Sequence, residues 1–212
     1  MATFTRETVK LSNIFLDVEN PRFASYFERV GQDMSSATQK DVDEYLKKYE
    51  SIDVLSVRIA EVNGLHPTEL IACMKNDDGK FIVLEGNRRV CACKDLCVKF
   101  TGNSDYAEFI SNIGELEVVV YESREAAQPY ISDKHIDGVK KWESIEKSCY
   151  YYRMFQERIQ LKNGLSAEQI AGEIAKQTVS KKSDVRDCIK KYGFYMSVYE
   201  TLPPLARSRA WF

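Results

Sequence analysis

The stretch Phe81-Ile82-Val83-Leu84-Glu85-Gly86-Asn87-Arg88-Arg89 constrains the fold most. Lys80 to Glu85 is rich in strand formers and delivers the chain to a glycine. Helical spacing begins at once, with Val90, Cys93, Cys97 and Phe100 on one face of a helix expected over Arg88–Phe100. The start of that helix offers unpaired backbone N–H groups and the positive end of a dipole. Two arginines in its first turn oppose the dipole, at a cost of a few tenths to about 1 kcal/mol unless an anion binds there. A phosphate would accept the free N–H groups and pair with the guanidinium forks, and Gly86 would let the backbone come close. The alternative is an ordinary strand–helix turn with two surface arginines. Glu85 is open in the same way: a Mg²⁺ ligand, a catalytic base, or a salt-bridge partner for Arg88 or Arg89.

The elements around this junction alternate in type. Val9 to Val18 reads as a strand that stops at Asn20-Pro21. Ser25 to Thr38 has no clean periodicity and reads as a loop or short helix. Lys40 to Leu55 and Ile52 to Val62 are helical, the second stopped by Asn63-Gly64. Glu69 to Met74 is a strand, and Asn76-Asp77-Asp78-Gly79 turns it back into Lys80–Glu85 as a hairpin. Thr101 to Asp105 is a loop, and Glu115 to Tyr121 is an apolar strand. After Asp133 the pattern is all helical: Ser144–Gln160, Ser166–Lys176, Ser183–Tyr192 and Phe194–Thr201.

Charge divides at the same place. The 212 residues carry a net charge of −2. Residues 1–138 hold 16 Lys and Arg against 24 Asp and Glu, or −8, and residues 139–212 hold 14 against 8, or +6. The basic half is therefore the candidate for nucleic-acid contact. No apolar run approaches the roughly 18 residues that span a bilayer, and the N-terminus lacks an apolar signal segment. The six cysteines read as reduced thiols of a cytoplasmic protein that does not meet a membrane.

The boxes occur in an order that resembles the ParB/sulfiredoxin superfamily. Leu84-Glu85-Gly86-Asn87-Arg88-Arg89-Val90-Cys91-Ala92 looks like its Gly-x-Arg-Arg box. Ile14 to Arg22 resembles the opening strand with its Asn-Pro…Arg box, and Ile52 to Pro67 the helix that ends in a glycine–proline turn, here Asn63-Gly64-Leu65-His66-Pro67. Lys134 to Trp142 falls where the third nucleotide box lies, without its Glu-Asn-x-Gln-Arg form. The resemblance spans residues about 9–202. It implies a nucleoside triphosphate, CTP or ATP, bound with Mg²⁺. Gly86, Asn87, Arg88 and Arg89 would hold the phosphates, Arg22 and His135 would close the site, and His66 would lie near it. Glu85 would be the catalytic or Mg²⁺-binding carboxylate of a slow nucleoside triphosphatase such as a CTPase, if there is one. Asn87 stands where sulfiredoxins carry a reactive cysteine, so sulfinic-acid reduction is not expected.

In the basic half, Ser166-Ala167-Glu168-Gln169 is a capping box, and Ile170 and Ile174 share a helix face. A short polar connection leads to Ser183–Tyr192, with Val185, Cys188, Ile189 and Tyr192 at helical spacing. Two short helices, a tight connection and a cationic second helix fit a helix-turn-helix. Lys181, Lys182, Arg186, Lys190 and Lys191 are placed to reach phosphates, and Ser180, Ser183 and Asp184 lie near the base-reading end. The alternative is a helical hairpin with a solvated charged face.

Cys91, Cys93 and Cys97 lack the spacing and partners of a metal site and read as buried thiols. Tyr150-Tyr151-Tyr152 with Phe155 reads as core, and Trp142 as an anchor of the helical half. The expected architecture is α+β: a small mixed-sheet, ParB/sulfiredoxin-like nucleotide-binding domain over 1–130, then an all-helical helix-turn-helix domain over 131–212. The expected function is nucleotide-switched binding of double-stranded DNA, in partition, regulation or mobile-element defence. The alternatives are a phosphohydrolase or kinase of this fold acting with a partner protein, and a nucleotide-free protein-interaction module. ParB proteins usually carry a dimerisation segment. Where Arg207 to Phe212 closes the sequence given, the expectation is a shorter piece or a variant that assembles differently, as a homodimer or with a partner protein.

Overall fold

The structure is a computed structural model and describes residues 4–31, 36–137, 144–161 and 164–201. The fold is α+β, with a five-stranded mixed sheet followed by helices. The chain divides into two compact units. The first comprises residues 1–18 and 38–127, the second residues 19–37 and 128–212. The sequence boundary near residue 130 therefore does not describe the whole division, because residues 19–37 belong with the helical unit.

The first unit is built on a sheet of order β1-β5-β3-β4-β2. Its strands are β1 (Phe4–Lys10), β2 (Ile14–Phe15), β3 (Ile71–Lys75), β4 (Phe81–Glu85) and β5 (Glu115–Tyr121). β1 runs antiparallel to β5, β3 parallel to β5, β4 antiparallel to β3, and β2 parallel to β4. Along β5, Leu116, Val118 and Val120 are buried while Glu115 and Glu117 are exposed, the alternation of a sheet with one covered face. The β3–β4 hairpin is closed by Asn76, whose side chain accepts the Lys80 amide at 2.8 Å, and by Gly79 at φ +74°.

The expected single strand over Val9–Val18 is in fact two. β1 and β2 occupy opposite edges of the sheet, and a 3₁₀ turn at Leu11–Asn13 separates them. Ser12-Asn13 is the turn-forming pair, and the turn still buries Leu11 and Ile14.

Helices α2 (Gln39–Tyr49), α3 (Ile52–Glu61), α4 (Asn87–Phe100) and α5 (Ala107–Gly114) complete the unit. α2 and α3 meet at Ser51, φ +50°, which resolves the overlap of the two expected helices. α3 ends in a Schellman cap, with Gly64 N–H bonded to Ile59 O at 3.0 Å and Asn63 left-handed. α4 buries Val90, Cys91, Ala92, Cys93 and Leu96. α5, unread in the sequence, buries Phe109 and Ile113, four residues apart. α6 (Arg124–Ser132) then carries the chain into the second unit.

That unit contains α1 (Pro21–Arg29), a single π-helical turn at Asp133–Asp137, α7 (Ser144–Leu161), α8 (Ala167–Gln177) and α9 (Lys182–Thr201). α1 starts at Pro21, where the missing N–H costs nothing, and buries Phe23 and Phe27. It packs on α7, whose Cys149, Tyr150, Tyr151 and Met154 are core. Ser166 and Gln169 form the expected capping box at α8. α9 is one helix of 20 residues, not the expected two. Gly193 does not break it: a Cβ there would lie 3.2 Å from Tyr152 Cε2, so glycine lets the helix pass close to α7. Trp142 and Arg207 to Phe212 lie outside the described residues.

The six cysteines are free thiols, with Cys73, Cys91, Cys93 and Cys149 buried. Burial pushes Cys73 and Cys93 up to about 12. Burial raises Cys91 as well, helped by Asp43, whose carboxylate accepts its S–H at 3.3 Å. At about pH 8, iodoacetamide should label half-buried Cys97 and Cys188 well before the buried four, as read by peptide mass spectrometry. The fold favours the neutral thiols. Stability should therefore hold below pH 9 and fall as pH rises from 9 towards 12.

Candidate functional site

In the first unit the Gly-Asn-Arg-Arg turn sits where β4 meets α4. Gly86 is the N-cap of α4 at φ +105°, and the helix has neither a side-chain cap nor an acidic residue in its first turn. A Cβ at Gly86 would lie 2.6 Å from Ile71 Cδ1 and 3.2 Å from an Arg89 guanidinium nitrogen. Glycine here therefore makes room for β3 and for Arg89, and only it adopts this conformation without strain.

Both arginines have internal partners. Arg88 donates to the Glu50 carbonyl at 2.8 Å, capping the end of α2, and its guanidinium is 3.5 Å from the Glu50 carboxylate. Arg89 donates to the Glu69 carbonyl at 2.6 Å and pairs with the Glu85 carboxylate one turn back. The side chains of Arg89 and Glu85 are 13% and 14% exposed, so this pair is largely withdrawn from water. Of the roles open to Glu85, the salt bridge is the one present here. Among the described residues no three His, Cys, Asp or Glu side chains gather to hold a metal ion.

Asn87 is 6% exposed and faces inward. Its Oδ1 accepts the Asp17 amide at 2.8 Å, and its Nδ2 donates to Val83 O at 3.4 Å. Asp17 in turn receives two 2.8 Å hydrogen bonds from Arg124 at the start of α6. Beside it, the Gln39 side chain accepts the Leu16 amide at 2.8 Å and donates to the Leu16 carbonyl at 2.7 Å. Sequence reasoning missed Asp17, Arg124, Glu50 and Glu69. The one available signal was a lone carboxylate in the apolar run Ile14-Phe15-Leu16-Asp17-Val18, which requires a buried partner but does not identify it. His66 is exposed, with Nδ1 2.7 Å from the Thr68 hydroxyl within its own turn.

In the second unit, Arg22 is buried near the start of α1, with its guanidinium 3.7 Å from Glu146 of α7. His135 is half-buried on the π-helical turn. Residues 138–142 of the third box lie outside the described residues.

The helix-turn-helix candidate is α8, the turn Thr178–Lys181, and α9. α7 packs against both helices. Lys181 at the end of the turn, and Lys182, Ser183, Arg186 and Lys190 along the first turns of α9, are exposed. Ser180 is half-buried instead: its hydroxyl donates to Thr178 O at 3.1 Å and lies 2.8 Å from the Tyr151 hydroxyl, which pins the turn to α7. Glu168 of α8 reaches across to Lys182 at 2.9 Å and to Arg186 at 3.7 Å. The Lys182 hydrogen bond and the neighbouring charges of Arg186 and Lys190 hold the Glu168 carboxyl below its ordinary value.

The chain is similar to a solved structure of a Pnob8-like ParB-N domain in its C2221 form. The TM-score is 0.50 and the identity 15%, over 99% of this chain and 80% of that one. The likeness shows a ParB-N fold. No family model and no curated protein matches the chain.

Gly86→Ala should destabilise the first unit by about 1–3 kcal/mol, from the positive φ and the Ile71 contact. Asp17→Ala should cost more, about 3–5 kcal/mol, because it leaves Arg124 without its bidentate carboxylate and empties a buried polar position. The shift in urea midpoint measures both.

Proposed function

We propose that this is a DNA-binding protein whose α/β unit binds a nucleoside triphosphate, CTP or ATP, with Mg²⁺ as a conformational switch. Its biological setting would be DNA partition, regulation or mobile-element defence. For DNA, the supporting observation is the set of exposed cations on the first turns of α9, in a half of the chain that carries +6. Lys181, Lys182, Arg186 and Lys190 contact phosphates, and Ser183 stands at the base-reading end.

For the nucleotide, the support is an uncapped helix N-terminus with two arginines beside it. Arg88 and Arg89 would exchange carboxylate partners for phosphate oxygens. Gly86 and the first amides of α4 would complete the cradle, and His66 would contribute from its own box. Mg²⁺ commonly takes only one or two protein carboxylates and fills its shell with phosphate oxygens and water. Glu85, released from Arg89, fits that role, and the bound metal would neutralise phosphate charge. Asn87 supports the switch, since its bond to Asp17, and that of Asp17 to Arg124, joins the phosphate turn to α6.

One observation favours a nucleotide-free module instead, namely that Arg88 and Arg89 are already paired within the chain. Calorimetric titration of CTP, ATP and GTP with Mg²⁺ separates the readings. The switch requires that one of them bind the wild type and that Arg88→Ala abolish it. No heat from any of the three would leave the nucleotide-free module.

DNA binding should weaken with salt in proportion to the phosphates contacted. Lys182→Ala should weaken binding uniformly across sequences and reduce the salt slope by about 1. Glu168→Gln should do the opposite, tightening binding by freeing Lys182 and Arg186, while thermal stability stays unchanged because the pair is on the surface. Fluorescence anisotropy over a salt series reads both.

A further inference from the structure

Val179 is left-handed, at φ +52°. The other non-glycine residues with positive φ among those described are Ser51 and Asn63, short polar side chains. A β-branched residue in this region is a genuine outlier, because its branched Cβ crowds the following carbonyl. The turn itself explains the backbone. α8 ends in a Schellman cap, with Ser180 N–H bonded to Ala175 O at 2.9 Å and Thr178 N–H to Ile174 O at 2.9 Å. Such a cap places its left-handed residue at position 179, and glycine is the residue that serves there without strain.

Nothing in the fold offsets the valine. The residue is 81% exposed, so neither core packing nor burial stabilises it. The turn is fixed without it: Thr178 Oγ1 donates to Ile174 O at 2.9 Å, and Ser180 is tied to Tyr151 and to Thr178 O. The surrounding structure thus over-determines a strained residue and holds its isopropyl group in water at one place. Residues strained in this way cluster at ligand-binding sites. Beyond Ser180 come Lys181, Lys182 and Ser183, all exposed.

We propose that Val179 reads sequence in double-stranded DNA by packing its isopropyl group on the methyl group of a thymine in the major groove. This rests on the DNA-binding reading above. The thymine methyl is the apolar mark that groove presents, and an apolar side chain on a rigid turn is its complement. Val179 carries no charge, so its contribution is independent of salt, unlike those of the lysines beside it.

The test uses a duplex selected from a random pool by the wild-type protein, synthesised with thymine and again with uracil at each thymine in turn. Uracil removes only the methyl group. The wild type should lose about fourfold in affinity at one such position, the worth of one buried methyl group. Val179→Ala and Val179→Gly should bind the thymine duplex weaker by a similar factor, be indifferent to uracil there, and keep the wild-type salt slope. Val179→Gly should also melt at a higher temperature, through relief of the left-handed strain. Variants that lose affinity yet keep the thymine preference would show that only the turn had loosened, and would overturn the assignment. So would variants that match the wild type on both duplexes. Failure of the wild type to enrich any duplex would instead remove the DNA-binding reading beneath it.

Discussion

A carboxylate withdrawn from water is tolerable only when its charge and its lone pairs are met, and Asp17 meets both conditions through groups distant in sequence. Its side chain is 2% exposed, and Arg124 grips it with two parallel hydrogen bonds. Its amide is held by Asn87. Three segments, the end of β2, the first turn of α4 and the first turn of α6, are therefore fixed to one another at a single residue. Bidentate geometry matters here, because it fixes the angle of the guanidinium and hence the start of α6, which a single point contact would leave free.

The cations of the first unit are arranged on the same logic. Arg88 and Arg89 lie at the positive end of α4, where repulsion would cost stability, and Glu50, Glu69 and Glu85 remove that cost. The turn is stable without a ligand, and a phosphate would have to compete with three carboxylates held in place. On α9 the position is reversed. Glu168 neutralises part of the cationic surface but is exposed, so its hold on Lys182 is weak.

Local patterns in the sequence specified most of the architecture. β5 was legible from its alternating apolar residues, α8 from its capping box, and the end of α3 from Asn63-Gly64. These signals are short-range and backbone-determined. What failed depended on packing. Val9–Val18 looks continuous, yet the chain leaves one edge of the sheet and returns at the other, which no local pattern encodes. Gly193 looks like a helix end, and only the nearness of Tyr152 shows why glycine is needed within a helix. At the candidate site the residues of the Gly-Asn-Arg-Arg turn were nameable from residue type, but their carboxylate partners were not. Glu50 lies 38 residues from Arg88, and Asp17 lies 107 from Arg124. The connection after α8 has no glycine, yet the left-handed backbone that glycine would supply is present, and Val179 adopts it.

The chain passes between the two units three times, after residues 18, 37 and 127. Each passage lies close to a residue of the same small network in the first unit. Asp17 is one residue before the first, Gln39 two residues after the second, and Arg124 three residues before the third. Gln39 holds Leu16 by two hydrogen bonds, Asp17 holds Arg124, and Asn87 holds Asp17. The strands of chain that leave the first unit therefore share one anchorage, and that anchorage includes the residue next to Arg88. Asp17 cannot release Asn87 or Arg124 alone without leaving a buried polar group unmet.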